Sequence, residues 1–402
     1  MKVKNIIVGG GISGLACAKK LSEAGEEYIL IERSNRVGGR VGSIYQDGYI
    51  FDIGFQVYNS AYVLTSSLIN LNEVDLQFFK PGAIIFDGND FSIVSDPLRD
   101  QGQFFSNLFS NVSTLTDKLK VLSLKYSLKD YSINNDHTED VSTFEYLSQY
   151  GFSKKFIDLF FKPFFAGIFL EKEMATSSKF FKYVFSNFSK GLAALPSKGM
   201  QQIPDSIYNS LDGECVLLGR DVSSIKGSKV ILGDGDVYKA ERIILTGNSN
   251  KLINGQKNKY NSVLNLYFRC ETTPVNNKYI HLFPKDDVIN NVVFLNSISK
   301  GYSEFKDCLI SVSIIDTSNA DTSLVNSVQN KLSIYFGGEP NSYEFLKEFS
   351  VPKATIFHKT NYFASMPDVK LDNVIIAGDH TTYGSIEGAT ISGIKAANKI
   401  IQ

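Results

Sequence analysis

Cysteine is scarce in this chain of 402 residues, and its four copies, Cys17, Cys215, Cys270 and Cys308, stand far apart with no CxxC pair. That spacing excludes a legible disulfide framework and suits scattered reduced thiols in a cytoplasmic protein. The four histidines, His137, His281, His358 and His380, lack the spacing of metal ligands, so no metal site is expected. Neither sign of charge dominates, with 41 Lys and Arg against 42 Asp and Glu. Such a balance offers no basic face for nucleic acid. No apolar run reaches the roughly 18 residues of a membrane span. The longest aromatic-rich stretch, "FIDLFFKPFFAGIFL", is broken by Asp158, Lys162 and Pro163. What remains, 43% hydrophobic and 21% charged residues, describes an ordinary globular chain with room for two or three domains.

The basic start of "MKVKNIIVGGGISGLACAKKL" brings a signal peptide to mind, but the glycine spacing and amphipathic continuation argue for folded structure. Val3, Ile6, Ile7 and Val8 suit a buried parallel strand, Ile12, Leu15, Ala16 and Leu21 take helical spacing, and "EYILIE" returns as a strand. Between them Gly9, Gly11 and Gly14 form G-x-G-x-x-G. Gly9 permits the tight turn, Gly11 lets a pyrophosphate approach the backbone, and Gly14 allows close packing of the helix. The helix N-terminus supplies N–H groups and a positive dipole end. Glu32, about 20 residues on, is placed to accept hydrogen bonds from a ribose and would repel a 2′-phosphate, which favours FAD or NAD over NADP.

After Glu32 comes "RSNRVGGRVGSIYQDGYIFDIGFQVY", in which Arg36 and Arg40 flank the pair Gly38-Gly39. A bare backbone beside fixed cations suits phosphates or a flat ring. This segment, with the glycine loop before it and "FDIG" inside it, resembles the flavin amine oxidase, phytoene desaturase and protoporphyrinogen oxidase superfamily. The resemblance is carried by residues 1–58, about 191–250 and 372–400, and fades between them. It implies FAD as cofactor, held by Gly9, Gly11, Ile12, Ser13, Gly14, Glu32 and Arg33 at the nucleotide end. Gly38, Gly39, Arg40 and Gly54 would follow its pyrophosphate and flavin, and Val222 would contact adenine. In the closing unit "NVIIAGDHTTYGSIEGATISG", Gly378, Asp379 and Ile386 would hold the flavin end. Phe55, Gln56 and Tyr383 are the implied candidates for the substrate pocket.

The fold expected is α/β: a Rossmann-type FAD-binding domain from 1–58, 191–250 and 366–402, and a discontinuous α+β substrate domain from 59–190 and 251–365. Strands are expected at "AIIFDGNDFSIV", "VLNLYFRC", "VVFLNS" and "LISVSII", and a helix at "TSLVNSVQNKLSIYF", with Leu324, Val325, Val328, Leu332 and Ile334 sharing a face. The phenylalanines of 151–188 read first as core and second as an apolar tunnel. Nothing around that stretch supports peripheral membrane contact.

No second strand–GxGxxG–helix unit is present, so a separate nicotinamide domain is not expected. The substrate itself would then deliver hydride to flavin N5, with O2 or a quinone as final acceptor. Flavin amine oxidases carry an aromatic residue where this chain has Ser385, and a lysine on a strand where "VLNLYF" has none. Both departures point toward the desaturase-like branch and an apolar, isoprenoid-like or aromatic substrate. An amine oxidase, and a flavin-dependent isomerase or non-redox flavin protein, stand as alternatives. No catalytic base is named; His380 is read as packing beside the last helix.

Overall fold

A computed structural model describes residues 2–95, 99, 112–253, 258–272, 274–315, 319–365 and 373–401. The expected boundary at 366 lies outside them.

Lys2–Val8 is the central strand of the first sheet because both of its faces are covered. Ile6 and Ile7, which point to opposite faces, are fully buried, each worth roughly 1.5–3 kcal/mol over exposure. Tyr28–Ile31 pairs with it in parallel on one side and Val237–Thr246 on the other. Val216–Leu217 extends the sheet beyond Tyr28–Ile31. The hairpin Val222–Lys226 and Lys229–Leu232 extends it antiparallel from the start of Val237–Thr246, whose end instead pairs with Val374–Ala377 in parallel. The first and last strands of the chain thus flank one shared neighbour. This is the Rossmann-type unit.

The helices that follow those two strands, Ile12–Glu23 and Ile386–Ile401, pack against each other. Their approach is closer than any side chain allows. A Cβ on Gly393 would lie 2.1 Å from the Ser13 carbonyl oxygen and 2.9 Å from Ala16 Cβ.

The second sheet has seven strands, from Glu344–Ile356 at one edge through Tyr260–Cys270, Cys308–Ile315, Ile289–Phe294 and Ile280–Leu282 to the hairpin Gly82–Phe86 and Phe91–Ser95. All four stretches expected as strands reach it, but the first is a hairpin of two strands and the third ends at Phe294, where the short helix Leu295–Ile298 begins. Glu344–Ile356 is an addition: its Pro352 breaks a strand pattern, and proline is tolerated because this is the sheet edge. The helix Thr322–Phe336 forms as expected, burying Val328 and Leu332, but Ile334 is 75% exposed. Two residues past Leu332 is a turn of about 200°, which carries Ile334 to the outer face. Cys270 and Cys308 stand directly opposite each other across paired strands.

Asp52 closes the short hairpin of Ser43–Gln46 and Tyr49–Asp52 and ties it to the second sheet. Its carboxylate accepts from Ser43 Oγ at 2.6 Å, the Met200 N–H at 2.9 Å and the Tyr302 hydroxyl at 2.7 Å, while Tyr267 of the second sheet donates to its carbonyl. Burial pushes its carboxyl up to about 6 despite those donors.

Candidate functional site

One cavity of about 1070 Å³ runs from the glycine loop, between the two sheets, to the phenylalanine-rich helices. At its first end the loop is shaped by close contact. Gly9 has φ +107°, and a Cβ there would lie 2.4 Å from the Thr246 hydroxyl; a Cβ on Gly14 would lie 1.9 Å from the Gly9 carbonyl oxygen. At Gly11, which starts the first helix with no side-chain cap, a Cβ would meet nothing within 4 Å. The open space is the cavity itself. Glu32 accepts from the Gly10 N–H at 2.6 Å and from the Ser34 N–H and hydroxyl at 2.9 and 2.8 Å, so it also braces the loop.

Arg36 folds under the Gly38-Gly39 turn, donating to the carbonyls of Val37 and Gly39 and to Gln201. It acts as a staple for that turn more than as a cation facing the cavity. Arg40 instead reaches Asp379, with Nη2 2.7 Å from Oδ1. Burial disfavours charge on both, but the pairing prevails, leaving Asp379 below the usual carboxylate range and Arg40 above its ordinary value. The two ends of the chain are joined by this ion pair at the middle of the cavity.

Beyond it the last helix begins. Ser385 Oγ accepts from the Gly388 N–H at 2.9 Å, an N-cap contact that accounts for a serine at this position. The Gly384 N–H donates to His358 Nε2 at 3.1 Å, and the His358 ring stacks on Phe180 at 4.1 Å. Burial lowers His358 to about 4, so it serves as a neutral acceptor. Glu387 accepts from the N–H groups of Leu64 and Thr65 and from the Thr65 hydroxyl, capping the short helix Val63–Leu68 and so fixing Tyr62 at the wall.

Of the residues expected at the cofactor, Gly9, Gly11, Ile12, Ser13, Glu32 and Arg33 line the first end of the cavity. Gly38, Gly39, Arg40, Gly54, Asp379 and Ile386 line its middle, with Gly378 beside them. Val222 lies with Arg220 and Thr246 at the nucleotide end, and Phe55 and Gln56 are in the wall. Gln56 Nε2 donates to the carbonyls of Arg40 and Ile53, which holds this side chain against the turn. Gly14 lies behind the loop, where it packs.

Tyr383 is not among the described residues that line the cavity. Its ring lies 4.2 Å from that of Tyr183, and Tyr183 lines the cavity in its place. Sequence reasoning missed Tyr183 and Tyr62, whose helices carry no motif. Burial raises both hydroxyls above their ordinary range, so they remain donors at neutral pH, and that of Tyr183 has no hydrogen-bond partner among the described residues. His380 also lies outside the wall, neutral and buried with both nitrogens unpartnered among the described residues.

The phenylalanine stretch divides between core and wall. Phe152, Phe161, Phe169 and Phe181 are core, while Phe156, Phe160, Phe164, Phe180 and Phe188 face the cavity. Phe156, Phe160 and Phe164 stack in series at 5.2 and 5.6 Å along a helix that contains a π turn, Ile157–Phe161. The π turn adds a residue to the helix and re-aims the rings that follow. Among the described residues lining the cavity the carboxylates are Glu32, Asp221 and Asp379, all in the nucleotide and Arg40 regions. Among the described residues the aromatic half has none.

A glycine loop at a helix start, a buried acid after the second strand and a cavity long enough for a dinucleotide together define a nucleotide-binding oxidoreductase fold. Residues 12–401 match the family model for flavin containing amine oxidoreductase. The chain belongs to that family of flavin-containing oxidoreductases. A curated Drosophila melanogaster protein, "Possible lysine-specific histone demethylase 1", is 37% identical over 78 residues, 18% of this chain and 9% of its own length. A 4,4'-diapophytoene desaturase of Staphylococcus aureus is 38% identical over 52 residues, 13% of this chain and 10% of its own length. Each match therefore spans about a tenth of the relative. Putrescine oxidase bound to putrescine superposes with TM-score 0.72 over 100% of this chain and 99% of that one, at 17% identity, which shows the shared fold. Among the described residues no helix is long and apolar enough to cross a membrane.

Proposed function

We propose that this chain dehydrogenates or desaturates an apolar substrate whose reacting C–H is held in the aromatic half of the cavity. The observation that carries it is the absence of any carboxylate from that half among the described residues, where an ammonium substrate would need one. The 4.2 Å ring separation of Tyr183 and Tyr383 supports the same reading, because it leaves no slot for an amine between two faces.

The residues fit FAD. Gly9 to Gly14 and the start of the first helix would take the pyrophosphate, Glu32 the ribose, and the backbone at Val222 the adenine. Gly39, Gly54 and the helix start at Ile386 would border the flavin, whose role when bound is to accept the hydride. The chain's own contribution is placement and dryness. Phe156, Phe160 and Phe164 exclude water, Tyr62 and Tyr183 present hydroxyl donors, and the Arg40–Asp379 pair fixes the loop between the two halves.

The test is anaerobic mixing of the yellow holoprotein with isoprenoid, aromatic and amine compounds. Bleaching by an apolar compound but not by amines is expected. Bleaching by amines alone would make it an amine oxidase. Full flavin occupancy with no bleaching at all would favour a cofactor-dependent isomerase. A purified protein that binds no FAD would end the proposal.

A further inference from the structure

Among the described residues that line the cavity, the buried side-chain atoms without a hydrogen-bond partner are Asp379 Oδ1, Arg220 Nε, Asn59 Nδ2 and the Tyr183 hydroxyl. The first two belong to ion pairs, Asp379 with Arg40 and Arg220 with Asp234 and Asp236, so opposite charge compensates them. Asn59 and Tyr183 have no such compensation. A donor buried without an acceptor is costly, and one in a cavity wall calls for its partner on a ligand.

Asn59 ends the short strand Tyr58–Asn59, which pairs with Ala193 just past the helix Ser178–Lys190 that carries Tyr183. Its side chain is buried and its orientation fixed. Oδ1 accepts from the Ala61 N–H at 2.9 Å, so the nitrogen is the end left over. Gly191, at the end of the helix, makes room for this amide: a Cβ there would lie 2.3 Å from Asn59 Oδ1. Tyr62 adjoins both donors. Its N–H donates to the Asn59 carbonyl at 3.0 Å, and its phenol, after burial, is the next cause that keeps the Tyr183 hydroxyl protonated.

An ammonium group would bring further donors to these two, and a hydroxyl would bring one hydrogen of its own. A carbonyl brings lone pairs alone. We propose that the aromatic half of the cavity binds an apolar ligand through carbonyl oxygen, which accepts from Asn59 Nδ2 and from the Tyr183 hydroxyl. This rests on the apolar-substrate reading above and narrows it to ketones and quinones. The same chemistry fits an oxidisable ketone and a quinone that takes the electrons away. Discrimination should be steep, because a ligand without the oxygen leaves both buried donors unpaired.

The test mixes the oxidised holoprotein rapidly and anaerobically with β-tetralone or with tetralin, the same ring system without the oxygen, and reads binding from the spectral shift of the bound flavin. The ketone should bind at least about tenfold tighter than the hydrocarbon. Tyr183→Phe and, separately, Asn59→Leu should each weaken the ketone about fivefold and leave tetralin within about twofold. Flavin content and melting temperature report folding. Tyr183→Phe decides alone if Asn59→Leu, which also loses the bond to Ala61, does not fold. Equal binding of the two compounds by the parent, variants that keep the full preference, or variants that weaken both compounds alike would overturn the proposal. Bleaching by β-tetralone assigns the carbonyl to the reducing substrate. Reoxidation of the photoreduced flavin by menadione, slowed in Tyr183→Phe, assigns it to the electron acceptor. Bleaching by hydrocarbons without any ketone preference sinks this inference alone, whereas bleaching by amines alone sinks the reading on which it rests.

Discussion

Replacing Gly393 by alanine sets two effects of opposite sign against each other. Alanine is the better helix former by about 1 kcal/mol, so an isolated helix Ile386–Ile401 would gain. In the folded chain the added methyl would lie 2.1 Å from the Ser13 carbonyl oxygen, 2.9 Å from Ala16 Cβ and 3.0 Å from the Cys17 nitrogen. Two of these three neighbours are backbone atoms and cannot rotate away. The helices would have to part by roughly 1 Å to restore ordinary contact, and overpacking of that kind costs about 1–3 kcal/mol, with a rigid backbone neighbour at the upper end. The expected net is a loss of about 2 kcal/mol. Because Ser13 sits in the glycine loop at the cavity, the same displacement should weaken FAD binding roughly tenfold or more. Thermal unfolding of the flavin-free protein reads the first effect and flavin titration the second. A variant that melts at or above the parent, with unchanged flavin affinity, would refute the close helix contact.

Gly11→Ala should do the reverse. Its methyl meets no protein atom, so stability should change by less than about 1 kcal/mol, while FAD binding should fall at least tenfold in a flavin titration. Asp52 makes the molecule less stable as pH rises. Its folded carboxyl titrates near 6 against an unfolded value near 4, so its contribution is fully present below about pH 4 and is lost between pH 4 and 6, about 3 kcal/mol in all. Asp52→Asn should remove that slope, seen as a difference between parent and variant in urea unfolding at pH 4 and 6. Tyr183→Phe should leave stability within about 1 kcal/mol, since its hydroxyl has no protein partner among the described residues, and should slow flavin bleaching without lowering flavin content. A melting temperature lowered by several degrees would show that the hydroxyl is bonded within the fold.

The nucleotide unit was legible because its information is local. Three glycines at fixed spacing, a β-branched strand before them and an acid after the next strand each answer to a constraint within about 30 residues. The strands of the second sheet were legible for the same reason, and Glu344–Ile356 was not, because Pro352 and its charges mimic a loop until the strand is known to lie at an edge. Ile334 was misplaced because five apolar residues on a half-exposed helix fit more than one face. Ser385 signalled the absence of an aromatic residue in sequence, and its part as the N-cap of the last helix emerged only with its bond to Gly388.

Turn chemistry and periodicity alone are enough to write the dinucleotide loop, the acid that follows it and the closing strand–turn–helix into the chain. Packing in three dimensions brings Arg40 to Asp379, lets Gly393 admit the Ser13 carbonyl, and sorts the phenylalanines between cavity and core. Contacts between residues hundreds of positions apart leave no periodic trace in the chain. They exist because two buried faces must be covered at once, and the choice of partner is made by packing.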